Sequence, residues 1–172
     1  TPHGVCNDYF YELNRTNTQV TCGDGKYWSE NRLIAYCDKM RRIDYDIVNT
    51  GRLIKVQIEG SDENRILMGT NMRLSLDYRL YVKALNSFLQ VIIRKMDGRP
   101  VASGMKRLKG EEAGIYSTQI ILQTELLAPD DYNIQFVLIQ VNELGTMEKM
   151  DALDGVLQFN VYRKDRWDID TW

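Results

Sequence analysis

The chain has 172 residues, with 22 Lys and Arg against 24 Asp and Glu, so its formal net charge is −2. That length fits one domain, or one domain with an appended segment, and needs no disulfide or metal staple to bury a core. Near-neutral charge speaks against a nucleic-acid-binding face. A content of 44% hydrophobic and 27% charged residues excludes a disordered chain.

Residues 1–50 are polar and tyrosine-rich with weak periodicity, and are expected as a linker or N-terminal extension. Asn31 to Met40 is expected as a short helix or an extended arm. Gly23-Asp24-Gly25-Lys26 fails as a phosphate loop, because Val20 stands at the first Gly position and Tyr27 at the Ser/Thr position. The chain starts at Thr1 rather than Met, as expected of a piece cut from a longer protein. From Gly51 the period becomes two. Leu53 to Glu59 alternates, with Ile54, Val56 and Ile58 expected on one side. Met72, Leu74, Leu76, Tyr78 and Leu80 alternate with Arg73, Ser75, Asp77 and Arg79, the clearest half-buried strand. Phe88 to Lys95 is a strand ending at Asp97-Gly98, which predicts a type I′ hairpin. The return strand is expected over Pro100 to Met105, with Pro100 suited to an edge. Ile115 to Glu125 alternates, with Tyr116, Thr118, Ile120 and Leu122 on one face. Pro129-Asp130-Asp131 turns into Tyr132 to Asn142, where Ile134, Phe136 and Leu138 share a face. Val156 to Tyr162 aligns Leu157, Phe159 and Val161. Strands, turn signals and no long helical stretch predict an all-β antiparallel β-sandwich, immunoglobulin-like or jelly-roll-like, over 51–165, with a tail over 166–172.

The chain lacks the usual catalytic and metal-binding equipment. His3 is the single His, and Cys6, Cys22 and Cys37 show no CxxC spacing. This argues against a Cys/His zinc site and against a His-dependent nucleophile. No metal and no cofactor is expected. The cysteines read as reduced thiols of a cytosolic protein. A Cys6–Cys22 or Cys22–Cys37 bridge is the alternative for a secreted one, as is use of the Asn14-Arg15-Thr16 sequon. Asp168-Ile169-Asp170, the Asp44/Asp46 pair and the Glu111/Glu112 pair read as solvated carboxylates rather than catalytic ones. No apolar run is long enough for a membrane-spanning helix.

The outward strand positions are rich in amides: Gln90, Gln119, Gln123, Gln135, Gln140, Asn142, Gln158 and Asn160. An amide carries a donor and an acceptor on one side chain, which suits the vicinal hydroxyls of a sugar. Arg contributes forked contacts to an anion. Aromatic rings supply the apolar half by packing on a pyranose. The face chosen for a glycan carries Gln90, Arg94, Gln119, Gln123, Gln140 and Asn142. Arg73, Arg79 or Arg94 would meet an anionic cap, and Tyr116 or Trp167 would stack.

Gly51 to Asp165 resembles the C-terminal domain of Wzt, the nucleotide-binding subunit of ABC transporters that export O-antigen polysaccharide. The likeness is carried by Leu53–Ile58, by Met72–Tyr78, and by Val91-Ile92-Ile93-Arg94 leading into Asp97-Gly98. It continues with Gly114-Ile115-Tyr116, Leu126–Tyr132 and Leu157–Val161. Pro129-Asp130 stands where that family has Pro-Gly. The resemblance implies a non-catalytic, dimeric β-sandwich that binds the exported glycan at its non-reducing end. It also implies an ATPase domain and a transmembrane subunit as partners, and a cytoplasmic place at the inner membrane. Two rival expectations stand beside it. A structural or adhesive sandwich subunit would self-associate without binding glycan. A lyase or glycosidase would turn its glycan over.

Overall fold

In the computed structural model, residues 33–40, 42, 46–60 and 64–164 are described, and period-two alternation becomes nine strands among them. These are β1 (Ile34–Tyr36), β2 (Gly51–Glu59), β3 (Arg65–Leu67), β4 (Asn71–Leu80), β5 (Ser87–Lys95), β6 (Pro100–Arg107), β7 (Gly114–Gln123), β8 (Asp130–Val141) and β9 (Met147–Tyr162). They form a β-sandwich. One sheet has the order β1-β2-β4-β7 and the other β3-β9-β8-β5-β6. All named ladders are antiparallel except β3 with β9, which is a parallel edge pair. Among the described residues no helix is long and apolar enough to cross a membrane.

The core lies between the two inner faces. Leu74, Leu76, Tyr78, Ile134, Phe136, Leu138, Leu157 and Phe159 are all nearly inaccessible to solvent. Apolar side chains at every second strand position explain this directly, since each sheet buries one face against the other. The Tyr132 hydroxyl, beside Phe159, donates to the Ala128 carbonyl at 2.7 Å, so its one polar atom is satisfied at the rim.

Two sequence expectations change. In β2 the buried residue is Leu53, not Ile54, because the register shifts between Leu53 and Lys55. The cause is a long-range contact: the Leu53 N–H donates to Asp151 at 2.7 Å, and its carbonyl accepts from Arg42 at 3.1 Å. The β5–β6 turn is not type I′. Only Gly98 has positive φ, at 87°, and its N–H donates to the Lys95 carbonyl at 2.9 Å. That is a turn followed by a left-handed Gly, with a compensating register shift at Ile93/Arg94. Of the two alternatives for 31–40, the extended arm holds over Ile34–Tyr36, where β1 pairs with β2, and a turn follows at Asp38 and Lys39.

Leu33, Ala35 and Cys37 all enter the core, so residues 33–37 are packed on the sandwich. Cys37 is a free buried thiol whose Sγ–H donates to the Ala35 carbonyl at 3.3 Å. Burial pushes the thiol up from 9.0 to about 12, because a thiolate there would be desolvated. The linkage follows in sign. Below about 9 the thiol is protonated in both states and its ionisation does not affect stability. Between about 9 and 12 only the unfolded chain ionises, so stability falls as pH rises. Native protein at pH 8 is expected to leave Cys37 unmodified by iodoacetamide, and unfolded protein to alkylate it. Peptide mass mapping of Cys37 before and after denaturant checks this, and labelling of the native thiol at the unfolded rate would contradict it.

Candidate functional site

The outer face of the five-stranded sheet contains a trough of about 360 Å³. Its position follows from strand register. Gln90 lies opposite Val137, which lies opposite Ala152; Ile92 lies opposite Gln135. Ile92, Val137, Ile139 and Ala152 are its apolar lining, and Met147, Glu148 and Lys149 close one end. Val137 and Ile139 are only 6% and 7% exposed although they sit outside the core. Strand β9 is irregular along this stretch, with shifts opposite Ile134/Phe136 and Leu138/Ile139. Bulges of this kind locally twist a sheet and re-aim side chains, which is how a sheet face becomes recessed.

Two amides stand over the apolar lining. Gln135 is oriented by Arg94, which donates to its Oε1 from Nε at 3.2 Å and from Nη2 at 2.7 Å. Arg can only donate, so the Gln135 oxygen must face it and Nε2 is left with no partner among the described residues. Gln90 has no side-chain hydrogen bond among the described residues, so both ends of its amide are available. The trough therefore offers directed polar groups above a small apolar surface, the combination expected of a ligand site.

The amides expected as one glycan-reading face do not lie together. Gln90 and Arg94 are on β5, but Gln119 and Gln123 are on β7, in the opposite sheet. Arg73 and Arg79 are on β4, also in that other sheet. Gln119 donates to Glu59 at 3.2 Å, and Arg79 pairs with Asp38 at 3.3 Å. These belong to the outer face of the other sheet, where Asp77 accepts from Ser117 at 2.6 Å.

Gln140 and Asn142 are on the same chain segment as the trough but are engaged internally. Gln140 donates to Glu148 Oε2 at 2.7 Å and accepts from Thr50 at 3.1 Å. Asn142 donates to Glu148 Oε1 at 2.9 Å, while its own Oδ1 accepts from the Leu144 and Thr146 N–H groups. Asn142 thus builds the β8–β9 turn. The two amides, Gln140 first, hold the Glu148 carboxyl below its ordinary value, since both bond its charged form.

The aromatic expectations fare differently. The Tyr116 ring packs on Tyr78 at 5.5 Å and lies over Gly110, and its hydroxyl donates to the Glu112 carbonyl at 2.8 Å. It faces the inner side of β7, away from the trough. Tyr162 lies beneath the Arg65 guanidinium at 4.6 Å. Trp28, Trp167, Trp172, His3, Cys6, Cys22, Asn14 and Asp168/Asp170 lie outside the described residues. Of the expected carboxylates, Glu112 forms an ion pair with Lys83 at 3.0 Å. Among the described residues no group of three or more His, Cys, Asp or Glu side chains is placed to hold a metal.

Gln135 was outside the chosen glycan face, yet it is the best-oriented amide of the trough. The signal for it was its alternation with Ile134 and Phe136, which points it outward on the same strand row as Ile92.

The fold and site define a β-sandwich with a recessed, amide-bearing outer face. It is similar to the C-terminal domain of Wzt, with a TM-score of 0.60 and 12% identity over 72% of this chain and 83% of that domain. A Niemann-Pick type C2 protein from the Japanese carpenter ant is a more distant likeness, with a TM-score of 0.47 and 13% identity over 66% of this chain and 93% of that one. At such identities the likeness is one of fold. No family model and no curated protein sequence matches the chain.

Proposed function

We propose that this chain is a non-catalytic carbohydrate-binding module that recognises the non-reducing end of a polysaccharide and sets the selectivity of an ABC exporter for it. The observation that carries the proposal is the trough. Two amides, one oriented by Arg94 and one without a partner among the described residues, stand over the apolar side chains of Ile92, Val137 and Ile139. The likeness in fold to the Wzt C-terminal domain supports the same reading. The finer parts are proposed with it: an O-antigen glycan, a homodimer, an ATPase domain and a transmembrane subunit as partners, and work at the cytoplasmic face of the inner membrane.

The trough binds by hydrogen bonds that compete with water. Each contributes about 0.5–1.5 kcal/mol net, so affinity for one glycan end is expected to be weak, and two linked sites in a dimer would raise it. The test is calorimetric titration with the polysaccharide of the chain's own source and with an unrelated one. Selective binding without any change in the length of the glycan is the expected result. Folded protein that binds neither polysaccharide overturns the proposal, and turnover of the glycan moves the protein to the enzyme class. A structural or adhesive sandwich is the second reading. It is favoured by Ile115 and Ile121, 63% and 60% exposed on edge strand β7, and it predicts self-association with no glycan bound.

A further inference from the structure

The charge beside the trough deepens the glycan reading, on which this inference rests. Residues 94–109 hold six cations, Arg94, Lys95, Arg99, Lys106, Arg107 and Lys109, and one carboxylate, Asp97. Lys95 pairs with Asp130 at 2.7 Å, and Arg99 with Asp97 at 2.6 Å. Six cations less those two carboxylates leave four positive charges on this hairpin and its exit, in a chain whose net charge is −2.

The four remaining cations meet no carboxylate among the described residues. Arg94 donates to Gln135 and to the Gly98 carbonyl at 2.9 Å. Lys106 donates to the Gln119 carbonyl on the opposite sheet, away from the trough, and Arg107 donates to Asn86 Oδ1 at 2.8 Å. Lys109 has no partner among the described residues.

The same bias reaches the rim of the trough, where Arg94 bonds the lining residue Gln135. Three of the five Arg94 N–H groups are engaged, which leaves two for a ligand. The Gln135 Nε2 beside them adds two more donors. Arg107 lies opposite Phe88, which lies opposite Ile139, so a cation also stands in the register row at the other end. The one carboxylate lining the trough, Glu148, already accepts from Gln140 and Asn142 on both oxygens. A site rich in donors, with its one carboxylate engaged, matches a ligand rich in acceptors and negative charge.

We infer that the trough takes an acidic glycan, one bearing carboxylate or phosphate groups, with Arg94 as the anion contact and Arg107 and Lys109 as steering charges. Lys and Arg on the exposed edge strand β6 have a competing explanation, which is protection against edge-to-edge pairing. That explanation predicts no effect of the cations on ligand affinity.

The experiment is calorimetric titration of the whole chain with matched probes. These are an oligogalacturonate and its carboxyl-reduced form, and a phosphorylated mannan oligosaccharide and its dephosphorylated form. The two pairs separate carboxylate from phosphate as the source of charge. At least one acidic probe is expected to bind about tenfold tighter than its neutral match at low salt, in line with the extra strength of charge-assisted bonds. The advantage should shrink in about 0.5 M salt, where exposed charges are screened. Arg94→Gln should cost the acidic probe about tenfold more affinity than it costs the neutral match, and Arg107→Gln should flatten the salt dependence of acidic-probe binding. Thermal unfolding of each variant shows that it is folded. Equal binding of acidic and neutral forms, or an acidic advantage that Arg94→Gln leaves intact, overturns this inference and leaves the glycan reading standing. Binding of no acidic probe by folded protein also overturns this inference, while the glycan reading stands or falls with the polysaccharide of the chain's own source.

Discussion

Replacing Asp151 with Asn is expected to destabilise the protein by about 3–5 kcal/mol, the usual consequence of breaking a buried ion pair from one side. The Arg42 and Asp151 side chains are 7% and 2% exposed. Every N–H of Arg42 is engaged. Nε and Nη2 meet the two Asp151 oxygens, Nη1 meets the Cys37 and Met40 carbonyls at 2.8 Å, and Nη2 also meets the Leu53 carbonyl. Asp151 is equally satisfied, since it also accepts from the Leu53 N–H and from the Ala152 N–H at 3.0 Å. An amide in its place would aim N–H groups at donors and leave Arg42 buried without a counter-charge. For a domain of this size the loss corresponds to roughly 10 °C in Tm. The pair Arg42→Met with Asp151→Leu should recover most of it, because a packed apolar pair removes the orphaned charge. Denaturant titration of the single and double variants checks both statements. A single-variant loss below about 1 kcal/mol would show that water reaches the pair.

That ion pair also shows what the sequence made legible and what it hid. The sandwich was legible because buried strands write themselves as alternation, most clearly from Met72 to Leu80, where every second residue is buried. The phase of β2 was hidden, because Leu53 answers to Asp151, a residue 98 positions away. Arg42 gave no local signal for the same reason. The site was legible only in its ingredients. Outward amides follow from alternation, but which sheet each strand joins depends on connections, and β6 to β7 crosses from one sheet to the other. Gln119 and Gln123 therefore left the face that Gln90 and Arg94 kept. Gln140 and Asn142 were lost to a different cause. Only the turn geometry shows that both bond Glu148.

Phe136→Ala and Gln135→Ala, adjacent on β8, are expected to fail in opposite ways. Phe136 is fully buried on the inner face, opposite Val91 on one neighbour and Leu153 on the other. Truncating its ring removes the transfer energy of the lost atoms and leaves a cavity between packed sheets, a combined cost of about 3–5 kcal/mol. Gln135 points the other way, into the trough, where its amide is half-buried and bonded only to Arg94 among the described residues. Its truncation should change stability by no more than about 0.5 kcal/mol and weaken glycan binding by roughly tenfold, because Arg94 loses its orienting acceptor along with the amide. Phe136→Ala that remains folded should bind glycan with nearly unchanged affinity, since its ring touches only the core. Paired denaturation and binding curves for the two variants separate the roles. If Gln135→Ala binds like the parent chain, the trough is not where the glycan sits, whatever the chain binds elsewhere.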